Sequence, residues 1–470
     1  MRILVWFRND LRTNDHESLF RAAQLGEVIP LYCFDLRHFE NTEYGFPKTG
    51  AIRAAFLIES VAELRRQLNN SLIVRIGKPE EVIPELVQEL DIDAIHYHAE
   101  ATDEELRVEM AVKESVNIPV NVFYGHTLYH PDDLPFGIAE LPGVFTTFRK
   151  QTEKKCRVRK PYSKVQIAKR AFEIEMGKIP SVEDLGLESH IPDNRSVLTF
   201  KGGEREAESR MAHYFFESKS VSNYKFTRNG LLGANYSSKL SPWLAHGCIS
   251  ARTVYDELEK YEIEVEKNVS IYWMKFELMW RDYFRFSAMR FGNKLFKPGG
   301  IQNKKLVKKT DKTLFYRWVN GETGIPFIDA NMRELNLTGF MSNRGRQNTA
   351  SFLAQNLDID WRWGAAWFES KLIDYDVCSN WGNWAYNATV GHDPRNRYFN
   401  ILNQADNYDS NGKYVRFWIP ELKHVPAEFV HQPHTMSIDQ QALFDVEIGK
   451  DYPEPIINLE ESYRQIRDRG

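Results

Sequence analysis

Through the first ~125 residues, short apolar runs rich in β-branched residues alternate with amphipathic helical stretches, and then the alternation stops. Strands are predicted at Ile3–Phe7, Val28–Phe34, Leu72–Arg75, Ala94–Tyr97 and Val120–Phe123. Helices are predicted between them, among them Ala51–Gln67 and Pro84–Leu90. Strands joined by helical crossovers must run parallel, so the chain should open with an α/β, doubly wound parallel sheet. The turn after the first strand reads Arg8-Asn9-Asp10-Leu11-Arg12, which is not GxGxxG. The sheet alone therefore gives no licence for a nicotinamide dinucleotide site.

From about residue 126 to 205 the pattern is irregular, with scattered Pro, Gly and Asp. It contains a basic segment, Arg149 to Arg170, with ten Lys or Arg and one acid, Glu153. A solvated helix face and an anion or nucleic-acid surface are both open for it. From about residue 206 the periodicity is helical almost throughout, giving expected divisions at 1–130, 131–205 and 206–470. Tryptophan marks the same divide: Trp6 stands alone in the first half, and the other ten of eleven lie between Trp243 and Trp418. No internal repeat or low-complexity tract is visible.

The net charge is −4, so a nucleic-acid site would have to be a local basic surface. Four scattered cysteines, Cys33, Cys156, Cys248 and Cys378, read as free thiols of a reducing compartment. Met1 runs directly into a strand pattern, and no apolar run reaches ~18 residues. A soluble cytoplasmic protein is expected.

Three constellations carry chemistry. In Ser237-Ser238-Lys239-Leu240-Ser241-Pro242-Trp243, hydroxyls and a lysine precede a proline at the start of a helical pattern. Free N–H groups, the positive helix end and the hydroxyls suit a diphosphate; the alternative is an ordinary Ser N-cap. In Trp273–Tyr283, Glu277 and Trp280 are three apart and share a helix face. A carboxylate beside an indole suits a stacked base, whereas a core Trp280 and a Glu277–Arg281 pair is the structural alternative. The third, Asn343 to Trp384, interleaves Asn343, Arg344, Arg346, Asp374, Asp376 and Asn380 with tryptophans. Core packing explains single tryptophans, but buried polar residues among them call for partners or a ligand, and Arg346 with Asp374 is a plausible pair. Asp376 and Asn380 suit the polar edge of a heterocycle. The histidines are dispersed and HExxH is missing, so no metal site is expected; GxSxG and P-loop motifs are absent too. A bound cofactor doing electron chemistry fits better than ground-state hydrolysis.

Together these residues resemble the photolyase/cryptochrome family, and its DASH type in particular. The resemblance covers nearly the whole chain and rests on Tyr224-Lys225-Phe226-Thr227-Arg228-Asn229-Gly230, Ser237–Ser241, Trp273–Phe286, Gly321-Glu322-Thr323-Gly324, Thr338–Gln347 and Leu372–Trp384. It implies an N-terminal α/β domain, a connector and a C-terminal all-α domain that binds FAD. Tyr224, Ser237, Ser238, Lys239, Leu240, Ser241, Arg346, Asp374, Asp376 and Asn380 would hold the flavin. Glu277, Trp280, Asn343 and Arg344 would line a cavity for a flipped pyrimidine dimer, with Arg228 at its rim. Glu277, Asn343 and Trp280 would be the catalytic set. A folate antenna, 5,10-methenyltetrahydrofolate, is implied between the domains, with Glu153 as a contact.

Departures from the family pattern narrow the expectation. Gln347 stands where ordinary dimer photolyases carry Met, and Tyr386 where they carry Trp. Both reduce apolar contact with a lesion, as in DASH proteins, which favour single-stranded substrate. Photolyases of the (6-4) class carry His at the positions of Asn343 and Gln347, so that activity is not expected. Trp384 and Trp361 match the first two members of the family's photoreduction chain, but the third falls at Lys308, which cannot relay an electron. Tyr316 and Trp363 are candidate exits.

The resemblance implies blue-light-driven splitting of cyclobutane pyrimidine dimers, mainly in single-stranded DNA, by a monomer with no membrane partner. Duplex loops and RNA stay open as partners. A blue-light receptor with little repair is the alternative; the chain ends at Gly470 without an obvious signalling extension, which favours repair.

Overall fold

The computed structural model describes residues 1–167, 174–393 and 398–468. Five parallel strands, β1 (Arg2–Phe7), β2 (Glu27–Phe34), β3 (Ile73–Ile76), β4 (Ala94–His98) and β5 (Val120–Phe123), form a sheet in the order β3-β2-β1-β4-β5. Alternation along β1 explains the two layers that cover it. Ile3, Val5 and Phe7 point into one core, while Leu4 and Trp6 point into another with Ile83, Leu86 and Val112. The chain winds β1 to β2 to β3 on one side, then returns past β1 to start β4, so the doubly wound expectation holds. The turns after β1 and β4 lie side by side at this reversal, where such sheets open a crevice.

The turn after β1 serves as a dock for the second half of the chain. Arg12, almost fully buried, donates to the carbonyls of Asp15, Gly125 and Gly247. Leu11 N–H donates to His246 O at 3.2 Å. Gly247 has φ +65°, and a Cβ there would lie 2.0 Å from Asn9 O, so only glycine permits this approach. Asp15 pairs with Arg252 at 2.8 Å, both buried.

Among its described residues the connector carries one α-helix, Phe145–Lys155, whose Phe145, Phe148 and Thr152 are buried. The charges of the basic segment divide. Arg159 pairs with Asp133, Lys160 with Asp256, and Lys164 with Glu204 and Glu208. Lys169 and Arg170 lie outside the described residues.

The helical half is organised around Val269–Phe291, started by Asn268, whose side chain accepts from Ser270 N and Ile271 N. Its Met274, Leu278, Tyr283 and Phe286 share one continuous core with Phe7 and Leu64 of the first half. Asp282, fully buried on this helix, accepts from Leu128 N at 2.9 Å and Tyr129 N at 2.8 Å and so ties the connector down. Burial pushes its pKa up to about 7 against those two bonds. Asp282→Ala would strand two N–H donors and should lower stability by about 2–5 kcal/mol, read as a shift of the denaturation midpoint. Because the folded pKa is raised, the native state holds the extra proton between the unfolded value and about 7. Stability from this group is therefore present at low pH and lost as pH rises towards 7, a slope that Asp282→Asn should remove. Among the described residues, no helix is long and apolar enough to cross a membrane.

Candidate functional site: a flavin and dimer constellation

Four segments converge in the helical half. The stretch Ser237–Ser241 leads into a short helix, Ser241–Ala245, with Pro242 in its first turn and no side-chain cap. The Ser N-cap reading is therefore not realised. The segment is held from behind by Arg210, which donates to Ser238 O and Ser237 O at 2.8 and 3.2 Å. Lys239 adopts φ +59° and is buried, with its ammonium against the Tyr236 ring and 3.2 Å from Ser237 Oγ. Burial lowers its pKa well below the usual lysine range.

Lys239 and Arg346 both lie over the Phe340 ring, at 5.2 and 5.5 Å, which brings this segment to the helix Asn343–Ser351. Arg346 Nη2 meets Asp374 Oδ2 at 2.8 Å, the pairing expected from sequence. The other Asp374 oxygen is buried without a protein partner. Asp376 caps the helix Val377–Asn387 by accepting from Ser379 N, and stands 4.0 Å from Arg285. Asn380, one turn on, donates to Ala365 O at 3.0 Å. Tyr224, buried, begins the short helix Tyr224–Thr227.

Beside this cluster is a second one. Glu277 forms an ion pair with Arg228, 49 residues earlier, whose guanidinium also sits 5.8 Å from the Tyr224 ring. The Glu277–Arg281 alternative is not realised, since Arg281 reaches the carbonyls of His126 and Leu244. Burial raises the Glu277 pKa above the usual carboxylate range, against the pull of Arg228. Trp280 shares the Glu277 face, with Tyr386 edge-on at 6.4 Å. One face of its indole is stacked on Phe145 at 3.7 Å and 11°, a neighbour from the connector that helix periodicity could not reveal. Arg344 lies over Tyr408 at 4.7 Å; burial, with Arg228 nearby, lowers its pKa. Asn343 is exposed, and Gln347 Oε1 is buried without a partner.

Comparison with known proteins gives this geometry its frame. Residues 3–166 match the family described as DNA photolyase, and residues 273–469 the FAD binding domain of DNA photolyase. The chain is 52% identical over 468 residues to a cryptochrome DASH of Gloeobacter violaceus, covering 98% of this chain and 94% of that protein. The chain belongs to the DASH branch of the photolyase/cryptochrome family. A crystal structure of a Synechocystis cryptochrome matches with TM-score 0.97 at 48% identity, covering 99% of this chain and 98% of that one. A class III photolyase from Agrobacterium tumefaciens matches with TM-score 0.87 at 27% identity, covering 99% and 98%.

The DASH chain thus carries the family's FAD-binding domain, and its residues fit such a group. Asp374 Oδ1, Trp384 Nε1 and Gln347 Oε1 are buried polar atoms without protein partners, each costing about 1–3 kcal/mol unless a ligand meets it. Trp384 packs against the helix Trp361–Lys371 at Gly364, where a Cβ would come 2.2 Å from its Cη2. Trp361, one turn earlier on that helix, is fully buried and donates to Pro298 O at 3.0 Å. Lys308 donates to Ala354 O and pairs with Asp358 at 2.7 Å.

Two of the cavities among the described residues of this DASH protein bear on the site. One, about 930 Å³, opens at the carboxyl ends of β1, β2 and β4 and is bounded across the divide by Glu369, Tyr375 and Trp381. The other, about 480 Å³, is lined by Glu153, Tyr129, Tyr272 and Lys275. Within it Glu153 accepts from Tyr272 OH at 2.8 Å and pairs with Arg149 at 3.2 Å.

The sequence shows no metal pattern, yet Asp10 of the turn after β1, His16 just before the next helix and His98 at the end of β4 gather in the interior. Asp10 Oδ2 is 2.9 Å from His16 Nε2 and 2.7 Å from His98 Nδ1. Ligands on one zinc ion at about 2.0–2.2 Å stand farther apart than this, so the trio is a carboxylate shared by two imidazoles. Burial would raise the Asp10 pKa, but the two rings bring it well below the usual range.

Proposed function

We propose that this protein splits cyclobutane pyrimidine dimers in blue light, mainly in single-stranded DNA, as a soluble cytoplasmic monomer. The observation that carries the reading is the Arg228–Glu277 pair beside Trp280, adjoining the Arg346–Asp374 cluster. Bound reduced FAD would supply, in light, the single electron that opens the dimer ring and would take it back afterwards. Arg346 and Asp374 hold the flavin, the Ser237–Ser241 segment receives its diphosphate, and Tyr224, Asp376 and Asn380 complete the enclosure. On the substrate side Trp280 and Tyr386 present rings to the dimer, Asn343 and Gln347 meet its polar edges, and Arg344 and Arg228 face phosphate. Glu277, whose pKa burial raises, would in its protonated form donate a hydrogen bond to a dimer carbonyl and so stabilise the charge that develops there. Flipping a base out of a duplex costs a few kcal/mol that a single strand does not require, which favours the single-stranded substrate. Glu153 is the folate contact of an antenna site, and the division at 1–130, 131–205 and 206–470 belongs to the same proposal.

The deciding experiment illuminates the reduced protein with dimer-containing single-stranded and duplex oligonucleotides and follows the return of thymine absorbance. Repair of the single strand, faster than of the duplex, is expected; repair of neither sinks the proposal. The yield should fall as pH rises through the raised Glu277 pKa, and this dependence should vanish in Glu277→Gln. A second reading, a blue-light receptor with little repair, is favoured by one contact: Phe145 occupies one face of the Trp280 indole and leaves that face closed to a base. Under that reading neither oligonucleotide is repaired although the flavin is bound.

A further inference from the structure

We propose that Trp381 is the exit of the electron path that Trp384 and Trp361 begin, and that Glu369 accepts its proton. The inference rests on the flavin-binding reading above and concerns how the bound flavin is reduced in light. Trp361 is fully buried and cannot meet a soluble donor. Lys308, where a third ring would stand, is an ammonium tied to Ala354 O and Asp358. The candidates Tyr316 and Trp363 cluster elsewhere, with Phe315 at 5.4 and 5.3 Å and, for Trp363, Tyr44 at 5.8 Å. The indole that touches Trp361 is that of Trp381, at 5.7 Å between centroids and 74° between planes.

Trp381 has what an exit requires. It is half-buried and borders the cavity of about 930 Å³, so a small donor can reach it. Its indole N–H lies 3.4 Å from Glu369 Oε2 and 3.3 Å from Tyr375 OH. An indole that loses an electron becomes strongly acidic at this N–H, and a carboxylate in hydrogen-bond contact takes the proton. Burial raises the Glu369 pKa, against the nearby Lys48 and Arg53, which makes it a better base than an exposed carboxylate. The neutral radical left on Trp381 is a weaker oxidant than the radical cation, so the electron returns to it from the flavin more slowly.

The balance is as follows. Trp384 gives one electron to the light-excited oxidised flavin, Trp361 refills Trp384, and Trp381 refills Trp361 while its proton moves to Glu369. A small thiolate in the cavity then gives one electron to Trp381, whose nitrogen recovers the proton from Glu369. Two of the resulting thiyl radicals couple to a disulfide.

The test uses the flavin-loaded full chain and needs no DNA, so its outcome is separate from that of the repair assay. Illumination with a nitroso spin trap, followed by digestion and mass spectrometry, should place the adduct on Trp381. Adducts on Tyr316 or Trp363 without Trp381 overturn the proposal. In Trp381→Phe, the tryptophan-radical absorbance after a flash should decay about tenfold faster, and thiol-dependent flavin reduction should slow by about as much. Glu369→Gln should shorten the radical lifetime while the indole contact with Trp361 is kept. An unchanged lifetime in both variants overturns the proposal. Lys308→Trp should change the rate by less than about twofold, because an exit already exists; a gain of about tenfold means that the path is broken at Lys308 and Trp381 is unused. If Trp381→Phe does not retain flavin, the spin-trap result on the unaltered chain decides.

Discussion

Replacing Glu277 by alanine should reduce dimer splitting under saturating light by about two orders of magnitude, the usual loss when one donor to a developing anion is removed. Glu277 stands on the same helix face as Trp280 and is latched to Arg228, which belongs to the segment that also supplies Tyr224. Removing the carboxyl would take away the hydrogen bond proposed to the dimer and would free the Arg228 guanidinium. The second change should tighten the protein on phosphate, so affinity for undamaged single strands is expected to hold or rise while repair collapses. Measuring repair yield per absorbed photon beside a binding titration separates the two. If repair and binding fall together, Glu277 holds the site's shape and is not a catalytic residue. Glu277→Gln keeps a donor and should lose less than about tenfold, with a flat pH profile.

Arg346→Met should cost most of the flavin. Asp374 is nearly inaccessible, and its partner holds it at 2.8 Å, so removing the arginine leaves an unpaired buried carboxylate. Breaking such a pair costs about 3–5 kcal/mol, and 3 kcal/mol corresponds to about a hundredfold in affinity. The expected result is protein that purifies almost colourless and takes up added FAD at least about a hundredfold more weakly, by titration of flavin fluorescence. Because part of that loss is damage to the fold, the double variant Arg346→Met with Asp374→Leu is informative. It should regain thermal stability relative to Arg346→Met and still fail to bind flavin. Recovery of binding in the double variant would show that the pair is structural only.

The five strands were legible because β-branched and aromatic residues are concentrated in short runs, and the structure places each within one or two residues. The helix Ala51–Gln67 was legible in full. The helix after β3, expected from periodicity at Pro84–Leu90, starts at Pro79. There Pro79 needs no helical N–H partner, and Glu80 and Glu81 sit at the positive end of the helix, whereas Pro84 lies inside it and gives up one backbone hydrogen bond. Within the site, Arg346 and Asp374 could be paired from composition, since a lone charge among tryptophans is too costly. Arg228 with Glu277 and Phe145 with Trp280 could not, because nothing local encodes a contact between residues 49 or 135 positions apart. The tryptophans show the same limit: their concentration marked the region, while Trp381, the ring beside Trp361, emerged only from packing.

The buried guanidinium of Arg12 bears on how the molecule can be taken apart. Its three carbonyl partners come from Asp15, Gly125 and Gly247, so a cut anywhere between the last two leaves a cation with part of its coordination missing. The five-stranded sheet is therefore not a cartridge that can be expressed or exchanged by itself. The two halves should melt in one cooperative transition, and grafting the first half onto a relative would require that relative's own glycine and arginine to meet in register.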